Sequence, residues 1–203
     1  MLFMSMNPIV YYIGGTVLLL FAGWQWKLVR DTNKTPMQHY SVERSIGEVE
    51  LRTYPPFTKA QVEESGSYQQ ISYRSFQRLA SYIFGGNSEN RKIAMTSPVG
   101  MQYDTLGNEQ ASMYFVMPEN SGDSTLPLPN DGSVKLVACE GFKAAALRFG
   151  GVAGPDDFRK NEEKLRSILQ KEGIEFVPQA EWLRYNPPFQ LVNRRNEVVF
   201  RIR

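Results

Sequence analysis

Apolar and polar side chains alternate with a period of two along much of this chain, and two stretches follow the helical period instead. The alternation predicts strands over residues 40–44, 48–54 and 57–63. Pro55-Pro56 separates the last two, because proline cannot donate to a strand ladder. Further strands are predicted over residues 92–95, 99–103, 111–117, 134–140, 142–149, 181–185 and 197–202.

Two amphipathic helices are predicted between these strands. The first begins near Ser67, which forms a capping-box pattern with Gln70, and ends at Gly85-Gly86. The second begins at Gly154-Pro155 and ends at Gly173. Their apolar faces are predicted to consist of Ile71, Phe76, Leu79, Ala80 and Ile83 in the first helix, and of Phe158, Leu165, Ile168 and Leu169 in the second.

The two halves of the chain are similar to each other. A shift of 85 residues aligns Phe57 with Phe142, Ala60 with Ala145, Gly66 with Gly151 and Phe115 with Phe200. Chance similarity between two α+β halves is the alternative interpretation. We expect two related strand–helix–strand–strand units that pack into one domain, since a single unit cannot cover its own apolar sheet face. The predicted fold class is α+β.

The N-terminal segment has a different composition from the rest of the chain. No charged side chain precedes Lys27, and Ile9–Trp26 is mostly apolar. As a helix, this stretch would span roughly 27 Å, close to the thickness of a bilayer's hydrocarbon core. A cleaved signal peptide is the alternative, but no Lys or Arg precedes the apolar stretch and no A-x-A site follows it. The segment therefore predicts a retained transmembrane helix.

This interpretation divides the chain into three parts. They are a membrane anchor at residues 1–30, a polar linker at 31–38 and a domain at 39–203. Basic residues at 27, 30 and 34 follow the span, so the positive-inside rule favours a single-pass protein with its domain on the cytoplasmic side.

Composition and charge exclude several functions. The formal net charge of +2 gives no electrostatic argument for nucleic acid as a partner. Cys139 is the one cysteine and His39 the one histidine, which excludes an intrachain disulfide, a Cys-rich zinc site and any pair of catalytic imidazoles.

Several short motifs resemble those of the SOUL haem-binding family. The main one is Lys92–Val99, with the sequence KIAMTSPV. In the family's order come also VELRTY at 49–54, SYIFGGN at 81–87, YNPPF at 185–189 and NRRNEV at 193–198. The resemblance covers roughly residues 40 to 203. It implies a distorted antiparallel β-barrel of duplicated halves, flanked by two helices, that binds haem or another porphyrin in a shallow apolar groove beside the first helix.

The resemblance also implies the residues of that groove. Positions matching Tyr73, Phe76, Ala80, Ser81 and Gln190 line the tetrapyrrole site in the family. Helical spacing independently places the first three on one side of the predicted helix.

This sequence departs from the family in the charges of the groove. The family's basic residues at positions 73, 81 and 190 are absent here. Arg74 and Arg78, on the margins of the same helix face, are the available replacements for binding propionates. A solvated helix arginine is the alternative interpretation of each.

A strong axial ligand is also missing from the expected places. Some family members carry histidine where this chain has Thr53, and threonine does not ligate haem iron. His39 is interpreted as a solvated linker residue, and Met95 and Met101 as packing residues. No C-x-x-C-H motif occurs, which excludes covalent attachment. We therefore expect weak, reversible, non-covalent binding of haem.

Two alternatives stand beside haem binding. Related two-unit folds serve as effector-binding domains, so a different amphipathic small molecule is the second hypothesis. An enzyme is the third and ranks last: the carboxylate pairs Glu63-Glu64 and Asp156-Asp157 suit solvated positions, and no histidine lies near Thr96 or Ser97 to activate a hydroxyl. The sequence thus predicts a binding protein without catalytic residues.

Overall fold

A computed structural model describes residues 8–103, 110–119 and 126–203. Its helices are α1 (Pro8–Thr32), α2 (Tyr68–Ile83) and α3 (Pro155–Lys171). Its strands are β1 (Ser41–Ile46), β2 (Val49–Tyr54), β3 (Phe57–Ser65), β4 (Val99–Tyr103), β5 (Gln110–Val116), β6 (Lys135–Cys139), β7 (Phe142–Phe149), β8 (Glu181–Arg184) and β9 (Asn196–Arg201). The strand predicted at 92–95 does not form, and Ile93 instead donates a backbone hydrogen bond to Ile83 at the end of α2.

The described strands form one antiparallel sheet in the order β1-β2-β7-β9-β8-β4-β5-β3-β6. The sheet curls into a half-barrel, with β1 and β6 as its two edges. A distorted barrel was expected, and the fold is more open than that.

The strand order has the symmetry that two related halves produce. Matching β2, β3, β4 and β5 with β6, β7, β8 and β9 reproduces the order β2-β7-β9-β8-β4-β5-β3-β6 in reverse. Ala60 pairs with Phe115 between β3 and β5, and Ala145 pairs with Phe200 between β7 and β9. The same shift of 85 residues relates both pairs. Because β2 pairs with β7 and β3 with β6, each half completes the other's sheet.

Both domain helices pack on the same face of the sheet. Ile71, Leu79 and Ile83 of α2 are buried in a cluster with β3, β4 and β5. Phe158, Leu165 and Leu169 of α3 are buried in a second cluster with β2, β7 and β9. Tyr68, Tyr103 and Trp182 contribute to the packing between the clusters through mutual ring contacts, so the two clusters form one continuous core on this face. A third buried cluster, which includes Tyr54 and Tyr114, lies on the opposite face.

The ends of α2 follow the predicted positions with one difference in mechanism. Ser67 is the N-cap, but its side chain makes no capping hydrogen bond. Phe84 caps the C-terminal end, and Gly85 follows in the left-handed region with a φ of 113°. Glycine has no Cβ, so it adopts this conformation without the strain that other residues meet.

The expected transmembrane helix is wrong. In the described part of the chain, no helix has the length and apolarity needed to cross a membrane. The segment does form a helix, α1, but Gly14, Gly15, Thr16 and Gln25 interrupt its apolar sequence. Gln25, inside the predicted span, is buried against a loop of the domain. The expectation of a single-pass membrane protein is therefore wrong too. The membrane side inferred for the domain depended on the same helix and is withdrawn.

The domain boundaries expected at residues 30 and 38 stay a prediction. Residues 1–7 of the expected anchor lie outside the described residues. The helix continues to Thr32, and Met37 forms a β-bridge with Ser97. The backbone N–H of Gln38 also donates to the Ser97 carbonyl at 2.8 Å. The segment between α1 and β1 is therefore attached to the domain at Ser97.

Candidate functional site

The outward side of α2 presents an aromatic surface. Tyr73 is 65% exposed and Phe76 is 40% exposed, and Ala80 lies between them and the helix end. The Phe76 ring packs edge-on against Phe115 of the sheet, with centroids 5.4 Å apart. The helix thus brings three predicted site residues to one accessible side, and the core contact fixes the orientation of Phe76. Ser81 is exposed next to Ala80.

Phe84 extends this surface and was missed by the sequence argument. It lies four residues after Ala80, on the same side of the helix, and is 64% exposed. Its spacing from Ala80 was the available signal. Helix-end residues beside a Gly-Gly pair are easily assigned to the turn instead.

The two arginines on the margin of this surface are already paired. Arg74 Nε lies 3.9 Å from Glu64 Oε2, and Arg78 Nε lies 3.1 Å from Glu64 Oε1. Arg78 Nη1 also lies 3.6 Å from Asp131 Oδ2 and donates to Ser133 Oγ at 2.5 Å. Arg78 is therefore shared between two carboxylates. The weaker, single contact of Arg74 leaves its guanidinium better placed to bind an anionic group of a ligand.

Gln190 lies in the loop between β8 and β9, and it is buried. Its relative exposure is 1%. Its amide nitrogen donates to the carbonyls of Val192 and Asn193, at 2.9 and 3.4 Å, and its Oε1 accepts from the Thr32 hydroxyl at 2.7 Å. Gln190 thus stabilises the loop from inside and joins it to α1.

Arg194 fixes the same loop from the other side. Its Nη1 donates to the carbonyls of Pro187, Pro188 and Gln190, at 2.9, 3.2 and 2.5 Å. Burial lowers the pKa of this guanidinium, and the nearby charge of Arg184 lowers it further. Three apolar side chains of the loop lie on its surface: Phe189, Leu191 and Val192 are each about half exposed. The polar Asn193 is exposed beside them.

The loop and the C-terminal end of α2 lie toward the same end of the sheet. Strands β3 and β4 both run antiparallel to β5, so α2 returns the chain to the end where β4 begins. Val99 at the start of β4 pairs with Arg184 at the end of β8, directly before the loop. Gln190 therefore lies toward the Phe84 end of α2, whereas Tyr73 lies toward the middle of the helix.

A separate cavity of about 770 Å³ lies beyond the ends of β3, β5 and β6. Its wall is lined by prolines and apolar side chains, together with His39, Glu119 and Cys139, and no α2 residue lines it. His39 Nε2 lies 3.5 Å from Glu119 Oε2, and both side chains are mostly exposed. Burial raises the pKa of the Cys139 thiol, which disfavours the thiolate that a metal would bind.

The sheet face opposite the helices contains buried charges. Arg52 donates to both carboxylate oxygens of Glu197, at 2.7 and 3.0 Å, and Arg195 and Tyr185 donate to the same carboxylate. Burial alone raises the pKa of Glu197, but hydrogen bonds and charges from Arg52 and Arg195 lower it overall. Burial raises the pKa of the nearby Tyr54 to about 12. These groups satisfy one another, which makes this network structural.

A second buried group on that face is centred on Glu181. It accepts hydrogen bonds from Tyr114 and from Arg201, and Gln102 lies 3.3 Å away. Burial and the Glu181 charge hold the pKa of Tyr114 well above its ordinary value. The side chains of Glu181 and Tyr114 are not accessible to a ligand, since Glu181 is 4% exposed and Tyr114 is 2% exposed.

The KIAMTSPV motif has a structural role in this fold. The Thr96 hydroxyl donates to the carbonyl of Val116, and the backbone N–H of Ser97 donates to Pro36 at 2.9 Å. Of the two methionines interpreted as packing residues, Met101 is buried in the core as expected, whereas Met95 is 39% exposed and its interpretation as a packing residue is wrong. Thr53 donates its hydroxyl to Glu43 at 2.6 Å. The polar groups of Thr96, Ser97 and Thr53 thus form hydrogen bonds within the protein.

The chain forms an α+β domain with a curled antiparallel sheet and an accessible aromatic surface on α2. Residues 35–201 match the SOUL heme-binding protein family, and the chain therefore belongs to this family. Heme-binding protein 1 of Xenopus laevis is 28% identical over 157 residues, which cover 74% of this chain and 82% of that protein. Heme-binding protein 2 of Homo sapiens is 29% identical over 184 residues, covering 85% of this chain and 82% of that protein.

Solved structures share the fold at low sequence identity. The C-terminal domain of EcmrR superposes with a TM-score of 0.58 at 11% identity, covering 81% of this chain and 98% of that one. At this identity the likeness concerns the fold alone.

Proposed function

We propose that this chain is a haem-binding protein that holds the porphyrin non-covalently on the outward surface of α2. The observation that carries the proposal is the accessible aromatic surface of α2 in a chain of the SOUL heme-binding family. The curated relatives it resembles are named as heme-binding proteins.

The residues of α2 suit one face of a flat apolar ligand. Tyr73 and Phe76 supply aromatic contact area, and Ala80 leaves room between them because its side chain is a single methyl group. Phe84 continues the surface toward the helix end. Such a surface binds by burial and shape, as expected for a largely apolar ligand with few polar contacts.

The charged groups suit the propionates of a haem. Arg74 has the more available guanidinium, and Arg78 contributes positive charge while remaining paired with Glu64. Ser81 offers a hydroxyl at the edge of the surface. Gln190 is buried, so its proposed part is indirect: it holds the loop at the Phe84 end of the helix in shape.

The scarcity of iron-binding atoms on this surface is the reason for proposing weak, reversible binding. On the surface of α2, the Tyr73 hydroxyl is the one group among Tyr73, Phe76, Ala80 and Phe84 with an atom that binds iron, and it already accepts a hydrogen bond from Gln77 at 2.7 Å. A haem held there would be bound mainly through its porphyrin. Bound haem would supply its own iron chemistry, and the residues of the chain would orient and partly cover it.

A second candidate function is binding of another amphipathic small molecule. The cavity beyond β3, β5 and β6 favours it, since its volume of about 770 Å³ lies within the range of small-molecule sites and its wall is mostly apolar. The description of the family names a binding function, haem binding. The expectation that this chain is not an enzyme stays a prediction.

A haem titration followed by the Soret band tests the proposal. Ala80→Glu places a carboxylate against the porphyrin face and is expected to weaken binding by roughly tenfold or more. The matched control is Ser167→Glu, at an exposed position of α3. The control should bind like the parent, and both variants should retain the parent's unfolding midpoint. Absence of a Soret change with the parent, or unchanged binding by Ala80→Glu, overturns the proposal.

A further inference from the structure

Helix α1 is joined to the domain through one buried side chain. Gln25 is 4% exposed, although its neighbours Trp24 and Trp26 are about half exposed or more. Its Nε2 donates to the Phe189 carbonyl at 3.1 Å, and its Oε1 accepts the backbone N–H of Leu191 at 2.8 Å. The side chain thus pairs with the loop backbone as a neighbouring strand does.

The helix side of this attachment lies outside the residues that match the family, whereas the loop side lies within them. The family match begins at residue 35, whereas α1 ends at Thr32. Two further contacts reinforce it: the Thr32 hydroxyl donates to Gln190, and the Trp24 ring stacks on Phe189. The helix therefore adds a surface that the family's domain alone lacks.

The attachment brings three partly exposed aromatic rings into contact with one another. The rings of Trp24 and Phe189 are 6.2 Å apart with an interplanar angle of 23°, and Phe21 packs against Trp24 at 5.9 Å. Phe21, Trp24 and Phe189 are 44, 46 and 51% exposed. We call these three rings the aromatic plate. Both sides of the plate are fixed, since Gln25 holds the helix and Arg194 holds the loop.

The plate suits a flat aromatic ligand that carries negative charge. Trp24 and Phe189 stack on each other, and each leaves about half of its surface exposed for contact with a further aromatic ring system. Lys27 carries a positive charge in the next helical turn, whereas the Arg30 guanidinium packs over the Trp26 ring at 5.6 Å, on another side of the helix. A porphyrin with propionates has this shape and charge. The loop that carries Phe189 follows Arg184, which pairs with Val99 at the start of β4, so it leaves the sheet at the end toward which α2 returns the chain.

We propose that Trp24 and Phe189 bind the porphyrin face of haem, so that α1 forms part of the ligand site. This inference rests on the proposed haem binding. It assigns contact to Phe189 and Trp24 and leaves Gln190, between Phe189 and Leu191, as the buried residue that holds them in place.

Haem titrations of the full chain test this inference with a matched pair of variants. Trp24→Ala removes one ring of the plate, and Trp26→Ala removes the same side chain type from another side of the same helix. We expect Trp24→Ala and Phe189→Ala each to weaken haem binding about fivefold or more, and Trp26→Ala less than about twofold. The buried core contains none of these side chains, so all three variants should fold.

The outcomes separate this inference from the proposed function. If the parent does not bind haem, the proposed function fails. If the parent binds haem and both Trp24→Ala and Phe189→Ala bind it equally well, haem binding stands and the aromatic plate is overturned. Equal weakening by Trp24→Ala and Trp26→Ala also overturns it, because general apolarity of the helix would then explain the effect.

Discussion

Arg52 and Glu197 form a bidentate ion pair between β2 and β9, with N–O distances of 2.7 and 3.0 Å. The residues are 2% and 0% exposed and 145 positions apart in the chain. The two strands are not neighbours in the sheet, since β7 lies between them. The pair therefore spans the strand between them, on the face opposite the helices, and connects the first part of the domain to its last strand.

Loss of this carboxylate should destabilise the domain strongly. Glu197→Gln keeps the shape of the side chain but removes the only fully buried carboxylate beside Arg52, which then keeps only the half-exposed carboxylate of Glu50 as a counter-charge. We expect a decrease in the free energy of unfolding of about 3 kcal/mol or more. Urea denaturation at neutral pH measures it. The control is Glu43→Gln, which removes the partner of Lys143 in an exposed ion pair and should leave the urea midpoint unchanged. Equal midpoints for both variants would contradict a structural role for the buried pair.

The same carboxylate predicts how stability depends on pH. The folded state lowers the pKa of Glu197 below its ordinary value of 4.5, because Arg52 and Arg195 outweigh the effect of burial. Its contribution is therefore fully present above that ordinary value and is lost as the pH falls through the lower, folded pKa. We expect the free energy of unfolding to decrease in this acid range for the parent and to decrease less steeply for Glu197→Gln. Parallel pH profiles of the two proteins would show that other groups account for the acid sensitivity.

Gly100 should be intolerant of a larger side chain. A Cβ at this position would overlap the ring of Tyr114, its partner on β5. Gly100→Ala is expected to lower the free energy of unfolding by about 2 kcal/mol or more. Gly132→Ala is the control, since a Cβ there would meet nothing within 4 Å beyond the adjacent residues and its effect should be small. A fully stable Gly100→Ala variant would mean that the Tyr114 ring moves aside easily.

The attachment of α1 can be tested without any ligand. The Leu191 N–H donates to Gln25, so Gln25→Ala should increase the rate of hydrogen exchange at Leu191 and at neighbouring amides of the loop. Gln77→Ala removes a glutamine that bonds only locally to Tyr73, and it should leave the loop unchanged. Identical exchange at Leu191 in the parent and in Gln25→Ala would indicate that the helix is not held to the loop in solution.

The internal similarity of the sequence predicted much of the sheet. The alignment of Ala60 with Ala145 and of Phe115 with Phe200 corresponds to two equivalent strand pairings, and all four side chains are buried. Small and large residues recur at the same spacing because each half packs its helix against the same kind of sheet surface.

Two features could not be predicted from local patterns. Arg52 alternates with apolar residues, which predicts a solvated position, yet the curled sheet encloses that face and pairs Arg52 with a residue far along the chain. Gln25 lies in an apolar run that resembles a membrane span, yet it bonds to backbone atoms of Phe189 and Leu191. Contacts of this kind depend on the tertiary fold and leave no periodic signal in the sequence.

The candidate site was predicted only in part, because periodicity reveals a helix face but not the burial of a loop residue. Helical spacing alone placed Tyr73, Phe76 and Ala80 together on α2, and the structure has them on its accessible side. The resemblance supplied position 190 but carried no information on burial, and Gln190 is enclosed by the loop and α1. The apolar neighbours of Gln190, in the sequence PPFQLV, were the signal for the exposed part of the loop.

Paramagnetic broadening by iron(III) haem tests the central claim most directly. Amide signals of the isotopically labelled full chain are recorded with and without haem, and those near the iron are lost. We expect losses at residues 73–84 of α2 and, where Trp24 and Phe189 contact the porphyrin, at residues 21–25 of α1 and 187–192 of the loop between β8 and β9, with α3 unaffected. Losses centred on residues 36–39, 55–58 and 138–140, which line the separate cavity, would contradict it and place the ligand there.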